Sequence, residues 1–284
     1  MAQSDPSRVW FITGASKGFG RLLAEEVLRR GQRVIPTARN VATVADLERN
    51  HPHQARAFAL DVTSPEQIAS VAQKAIAAFG HVDVVVNNAG YGVSGAIEEV
   101  AEDEFEHMFQ TNIYGLIRTT RAFLPHLRQR RHGHIINFSS IGGLIGSPGW
   151  GFYNTTKFAV EGFTEALAGE MKPFGVRVTV IEPGPFRTDF LGQSGKLATR
   201  DIPGYEVSAG KAREYLKTQN GKQPGDPQKA IEAVISVVDS PAPPLHLILG
   251  KIALTRFRGK LALWQEEIAA WENVTTNTDF PEGA

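Results

Sequence analysis

Short β-branched or apolar runs alternate with longer helical patterns along almost the whole of this 284-residue chain, and that alternation constrains its fold more than any single motif. Repeated strand–helix units build a parallel sheet covered by helices on both faces, because each parallel connection must cross back over the sheet. Strands are expected near Val9 to Thr13, Arg33 to Ala38, Ala55 to Ala59, Val82 to Asn87, His134 to Ser139, Arg177 to Ile181 and Leu245 to Leu249. Helices are expected near Gly18 to Arg30, Val41 to Asn50, Ser64 to Phe79, Ala101 to Arg131 with a break, Tyr153 to Met171, and Pro227 to Asp239. The third helix has the clearest start: Ser64 as N-cap, Pro65 at the first helical position and Gln67 at the capping-box position, with Gly80 as its stop. Pro36 cannot donate to a ladder, so a bulge is expected in the second strand. From Pro183 to Pro227 the alternation breaks into a Gly- and Pro-rich excursion, which reads as a substrate loop over 185–226. Thr255 to Trp271 has helical spacing and the tail from Asn273 reads as coil, which makes 255–284 a C-terminal extension of one domain spanning 1–284.

Composition removes several classes of function. Lys+Arg and Asp+Glu are both 30, so no excess positive field exists to hold nucleic acid. The chain has no cysteine, which excludes disulfides and any thiolate nucleophile or thiolate metal site. His51 with His53, and His132 with His134, lie in stretches without converging carboxylates, so no metal is expected. Met1 to Arg8 is polar and no apolar run approaches the roughly 18 residues of a membrane span, so a cytoplasmic protein is expected.

Val9 to Gly20 reads V-W-F-I-T-G-A-S-K-G-F-G: a strand, a turn with glycines at 14, 18 and 20, then a helix. Such a turn lets backbone N–H groups and the positive end of the helix dipole approach a pyrophosphate. Glycines at a tight strand-to-helix turn also serve close packing, and the spacing G-x-x-x-G-x-G leaves both readings open. Dinucleotide sites commonly place an acidic residue at the end of the second strand for the ribose 2′-OH, whereas this chain has Ala38-Arg39. A guanidinium binds a 2′-phosphate in bidentate fashion where a carboxylate would repel it. With Lys17 on the same side, the pair favours NADPH over NADH.

Tyr153 and Lys157 stand at i and i+4, on one face of a helix that follows a strand ending in Ser139-Ser140. The C-terminal edge of a parallel sheet is where such folds hold their ligands. A free tyrosine has a pKa near 10, too high for easy proton exchange at neutral pH, and a nearby cation favours the phenolate. A surface packing pair has the same spacing, so these two residues alone decide nothing.

Taken together, T-G-A-S-K-G-F-G at 13–20, Asn87-Asn88-Ala89-Gly90, Asn112, Ser140, Tyr153 with Lys157, and Pro183-Gly184 resemble the short-chain dehydrogenase/reductase family over about residues 8 to 250. The longer C-terminus and E-P-G-P-F-R-T-D-F look like the branch of hydroxysteroid and retinol dehydrogenases and related carbonyl reductases. The resemblance implies a Rossmann-type doubly wound parallel sheet of about seven strands, and an NADP(H)-dependent oxidoreductase interconverting a hydrophobic ketone or aldehyde and its alcohol. It implies Tyr153 as general acid and base, Lys157 as the cation that lowers its pKa and holds the nicotinamide ribose, and Ser140 as the partner of the substrate oxygen. Asn112 would anchor a water through which Lys157 exchanges protons. Gly14, Ser16, Lys17, Gly18, Phe19 and Gly20 would cradle the phosphates with Arg39. Asp61 and Val62 would meet the adenine, Asn88, Ala89 and Gly90 would line the cofactor with Pro183 and Gly184, and Thr188 would touch the carboxamide. Asp61 also reads as a cap for the helix that follows.

A substrate wall is expected from Leu144, Trp150, Phe186, Phe190 and Tyr205 beside Ser140, apolar and aromatic enough for a hydrophobic substrate. The resemblance further implies a homodimer or homotetramer. A sensor or scaffold that binds NADPH without turning it over is the alternative, and its expected sign, loss of the tyrosine or the lysine, is absent.

Overall fold

The structure is a computed structural model that describes residues 5–280, so the ends of the expected N-terminal segment and C-terminal extension lie outside the described residues. Among the described residues, nine strands run β1 Val9–Ile12, β2 Arg33–Ala38, β3 Phe58–Ala59, β4 Val84–Asn87, β5 Gly92–Ser94, β6 Gly133–Phe138, β7 Val176–Pro183, β8 Gly195–Leu197 and β9 His246–Leu249. The α-helices are α1 Gly18–Arg29, α2 Ala45–Asn50, α3 Pro65–Phe79, α4 Glu102–Phe109, α5 Leu116–Arg130, α6 Ile141–Leu144, α7 Gly151–Met171, α8 Ala209–Thr218, α9 Pro227–Asp239 and α10 Lys251–Thr276. Seven strands form one parallel sheet in the order β3-β2-β1-β4-β6-β7-β9, with β5 and β8 paired in a small sheet above it.

The two-residue period of the strands sorts side chains into two cores. Trp10, Ile12, Val34, Val84 and Ile136 face α1 and α9 through Leu23, Val27, Ile231 and Val234. Phe11, Ile35, Val85 and Ile135 face α3, α5 and α7 through Val71, Phe123, Leu127 and Leu167. Strand order reverses between β1 and β4, which opens a crevice at their C-terminal ends.

Three expectations are corrected. Pro36 causes no bulge: β2 keeps unbroken register with β1, Ile12 opposite Pro36. Val34 donates to Gln54 and Ala38 accepts from Leu60, so even-numbered residues of β2 address the outer strand β3, and the missing donor falls on that short ladder. Gln67 does not complete a capping box; Ser64 accepts from its N–H, but its side chain accepts from the N–H of Asp61. The tail is not coil from Asn273, because α10 runs from Lys251 to Thr276. The break expected inside 101–131 is a wide π-turn at Gln110–Gly115.

Candidate active site

The glycines of the first turn answer two demands. A Cβ on Gly14 would lie 2.9 Å from Ala89 Cα, and one on Gly20 would lie 2.5 Å from both the Gly14 carbonyl and Asn88 Nδ2. Asn88 clamps this turn by donating to the carbonyls of Thr13 and Gly14, while Thr13 Oγ1 accepts from the N–H groups of Asn88 and Ala89. Gly14 and Gly20 thus serve packing, and the Asn88 amide is spent on the turn. Gly14 and Gly18 both have positive φ, +66° and +57°, but Gly18 is uncrowded: the nearest atom to a Cβ there is Thr188 Cβ at 3.8 Å. It opens the N-terminus of α1, which no side chain caps, toward the crevice. Uncapped N–H groups behind a glycine fit an anionic phosphate.

Cations flank that turn. Arg39 is exposed at the end of β2; burial, helped by the Arg39 charge and opposed more strongly by Asp189, holds the Lys17 ammonium below its usual range. Lys17 also donates to Gln193 Oε1 at 3.0 Å, tying the turn to the loop after β7. Phe19 packs against Phe138 and Phe186. Asp61 does not cap the helix after it, whose N-cap is Ser64; its Oδ1 accepts from both the N–H and the hydroxyl of Thr63 in the turn before that helix. Those bonds and the Arg39 charge hold its carboxyl low despite opposing burial, the largest single influence. Val62 is buried against Gly115 of the π-turn.

Tyr153 and Lys157 share one face of α7, with Nζ 5.8 Å from the centre of the phenol ring. Lys157 donates to the Phe138 carbonyl at 2.8 Å. Ser140 Oγ caps α6 by accepting from Gly142 N–H, donates to the Pro183 carbonyl at the end of β7, and lies near enough to Tyr153 to pull its phenol down. Ser139 turns away, its hydroxyl on the Lys157 carbonyl, so Ser140 is the hydroxyl at the tyrosine. Gly90, Asn112 and Lys157 converge: a Cβ on Gly90 would lie 3.1 Å from Asn112 Oδ1 and 3.7 Å from Lys157 Nζ. Asn112 donates both amide hydrogens, to the Tyr91 carbonyl and to Thr156, and accepts from Tyr91 N–H. A water held by Asn112 therefore has to use its backbone or the remaining carbonyl lone pair.

Electrostatically the tyrosine differs from expectation. Burial pushes its phenol up to about 12, with the Ser140 hydroxyl pulling the other way, and burial lowers Lys157 to about 8 against the attraction of Glu161. Desolvation, not the lysine, dominates the closed site. Its cause is an aromatic cover: Trp150 and Phe190 lie 5.7 and 5.6 Å from the Tyr153 ring. Gly92 makes this closure possible, since a Cβ there would meet Trp150, Tyr153 and Phe190 within 3.3 Å. That glycine was missed, although it stands two positions beyond Gly90.

Other expected wall residues scatter. Phe186 packs on Phe19 and Gly225 rather than on Tyr153. Tyr205 is half-buried and donates to Glu98 at 2.9 Å. Leu144 ends α6, where its carbonyl accepts from Lys260 of α10. Thr188 sits over Gly18 and accepts from Phe190 N–H, and Gly184 packs on Ala253 of α10.

Sequence reasoning also missed a buried carboxylate pair. Glu161, one turn beyond Lys157, meets Glu182 of β7, and His246 Nδ1 lies 2.7 Å from Glu182 Oε1 and 3.6 Å from Glu161 Oε2. Burial raises both carboxyls to about 7, with repulsion from Glu182 adding at Glu161 and repulsion from Glu165 adding at Glu182.

A doubly wound sheet with a glycine turn at its switch point and a Tyr–Lys helix at the strand ends defines a class of nucleotide-dependent oxidoreductases. Residues 8–197 match the family model described as short chain dehydrogenase, and the chain belongs to that family. It is 39% identical over 258 residues to oxidoreductase BOA17 of Botryotinia fuckeliana, covering 90% of this chain and 93% of that one. Human retinol dehydrogenase 8 is 33% identical over 84% of this chain and 80% of its own. The crystal structure of a short-chain dehydrogenase from Streptomyces avermitilis superposes with a TM-score of 0.91 at 40% identity, over 97% of this chain and all of that one. A serine dehydrogenase complexed with NADP+ does so with 0.73 at 29%, over 85% and 94%. Among the described residues no helix is long and apolar enough to cross a membrane.

Proposed function

We propose that this oxidoreductase interconverts a hydrophobic ketone or aldehyde and its alcohol, with NADPH preferred over NADH, in the cytoplasm. The observation that carries the reading is the meeting of the Tyr153 phenol with the Ser140 hydroxyl and the Lys157 chain at strand ends beside the glycine turn. A reduced nicotinamide, when bound, contributes the hydride. The chain supplies the rest. Tyr153 keeps its proton at neutral pH, which suits donation to a carbonyl oxygen, and Ser140, turning its hydroxyl from the Pro183 carbonyl, offers that oxygen a second hydrogen bond. Lys157, held by the Phe138 carbonyl, stays beside the phenol ring.

NADPH preference is supported by the missing carboxylate after β2 and by the mutual closeness of Lys17 and Arg39. A hydrophobic substrate is supported by Trp150, Phe190 and Val93 around Tyr153. Assembly as a homodimer or homotetramer belongs to the same reading and rests on family membership. The test follows NADPH absorbance with a panel of aryl ketones, aldehydes and steroids. Consumption with apolar carbonyls is expected; a preference for charged substrates, or for NADH, would overturn the reading.

A further inference from the structure

Helix α10 begins on the body and then leaves it. Ala253 is fully buried, Arg256 donates to Ser147 Oγ at 2.8 Å, and Lys260 donates to the Leu144 carbonyl and lies 5.0 Å over the Phe158 ring. From Leu261 to Thr276 every residue is exposed. Yet this stretch carries Leu261, Leu263, Trp264, Ile268, Trp271 and Val274, with Trp264 and Trp271 51% and 64% exposed. An isolated helix of this length is marginal in water, and a contiguous apolar stripe with two tryptophans marks a contact surface.

The stripe has a regular period. Leu254, Phe257, Leu261, Trp264, Ile268 and Trp271 are separated alternately by three and four residues, the heptad spacing of a helix–helix seam. The charges beside it are divided along its length: Lys251, Arg256, Arg258 and Lys260 in the first half, Glu266, Glu267 and Glu272 in the second. Two such helices laid parallel would set Glu267 beside Glu272 of the other copy. Laid antiparallel, with Leu261 facing Trp264 across the seam, Lys260 meets Glu267 and Lys251 meets Glu272.

We propose that α10 is a dimerisation arm, pairing antiparallel with α10 of a second copy about a twofold axis between Ala262 and Leu263. The arrangement is self-complementary, as a twofold contact must be. Trp271 of each arm covers Leu254 of the other, which the docked half leaves 39% exposed, and Trp264 covers Leu261, 40% exposed. This contact does not depend on the reaction catalysed.

The test uses the full-length protein in sedimentation velocity and disulfide mapping. The wild type is expected to be dimeric. Ile268→Glu combined with Trp271→Glu should raise the dissociation constant by about 100-fold or more, with the melting temperature of the monomer and the affinity for NADPH unchanged. Glu272→Lys should weaken pairing, and Lys251→Glu added to it should restore it. Because the chain has no cysteine, single cysteines report orientation cleanly. Leu261→Cys should cross-link under oxidation, whereas Leu254→Cys should not, since its twin lies about 25 Å along the helix. Cross-linking at both positions would mean parallel arms and overturn the proposal. So would an assembly whose size the double substitution leaves unchanged, or a monomeric wild type that instead sediments with anionic phospholipid vesicles.

Discussion

Replacing Phe190 by alanine tests whether the aromatic cover sets the acidity of Tyr153. The phenol stands at about 12 because burial disfavours the phenolate, some two units above the ordinary value of about 10, or roughly 2.7 kcal/mol between the two forms. Phe190 is half-buried with its ring 5.6 Å from the tyrosine, and its loss admits water to one side of the phenol. We expect the Tyr153 pKa to fall by about one unit, or ~1.4 kcal/mol. The fold should lose about 1–2 kcal/mol, less than a fully buried phenylalanine would cost. Ultraviolet difference titration of tyrosinate, with a Tyr153→Phe protein subtracting the other four of the chain's five tyrosines, isolates the group. A wild-type Tyr153 that ionises at or below 10 without cofactor would show that the lysine outweighs burial. An unchanged pKa in the variant would show that Phe190 is not what desolvates the phenol.

Three further outcomes follow from the geometry. Arg39→Ala should raise KM for NADPH by about 10-fold or more, the worth of a charge-assisted hydrogen bond, with little change for NADH; equal effects in steady-state kinetics would remove the 2′-phosphate assignment. Gly20→Ala places a Cβ 2.5 Å from backbone and should cost ~1–3 kcal/mol. Gly18→Ala meets only Thr188, at ordinary contact distance, but at φ +57° and should cost about 1 kcal/mol, so calorimetry should rank the melting temperatures wild type, Gly18→Ala, Gly20→Ala. The Glu161–Glu182 pair is raised to about 7 in the fold from an ordinary 4.5, so its contribution is full below the unfolded value and lost as pH rises from there through 7. Glu182→Gln, which keeps an acceptor for His246 and cannot ionise, should gain melting temperature relative to wild type between pH 5 and pH 8; a constant difference would contradict the shared burial.

Much of the site was legible because its motifs lie within single strand–turn–helix units, where chain connectivity fixes geometry. Gly18, Ser140, Tyr153 and Lys157 belong to this kind. What escaped depends on strands that meet only in the sheet. Glu161 and Glu182 come together because β7 lies between β6 and β9 under α7, and nothing local in either segment announces the other. Phe186 and Tyr205 were misplaced for a related reason. Apolar residues in a long loop have no periodicity to aim them, and here Gly225 and Glu98 decide where they go. The extent of α10 was underread because its heptads continue past Trp271 without an apolar residue in the seam, Thr275 taking the next position.

The central claim is that the Tyr153 hydroxyl passes the proton in carbonyl reduction while the glycine turn holds the coenzyme independently. Tyr153→Phe, assayed for turnover with NADPH and an apolar ketone and for NADPH affinity by fluorescence titration, separates the two. We predict a fall in kcat of at least ~100-fold with the dissociation constant for NADPH unchanged. Turnover that persists in the variant would contradict the claim.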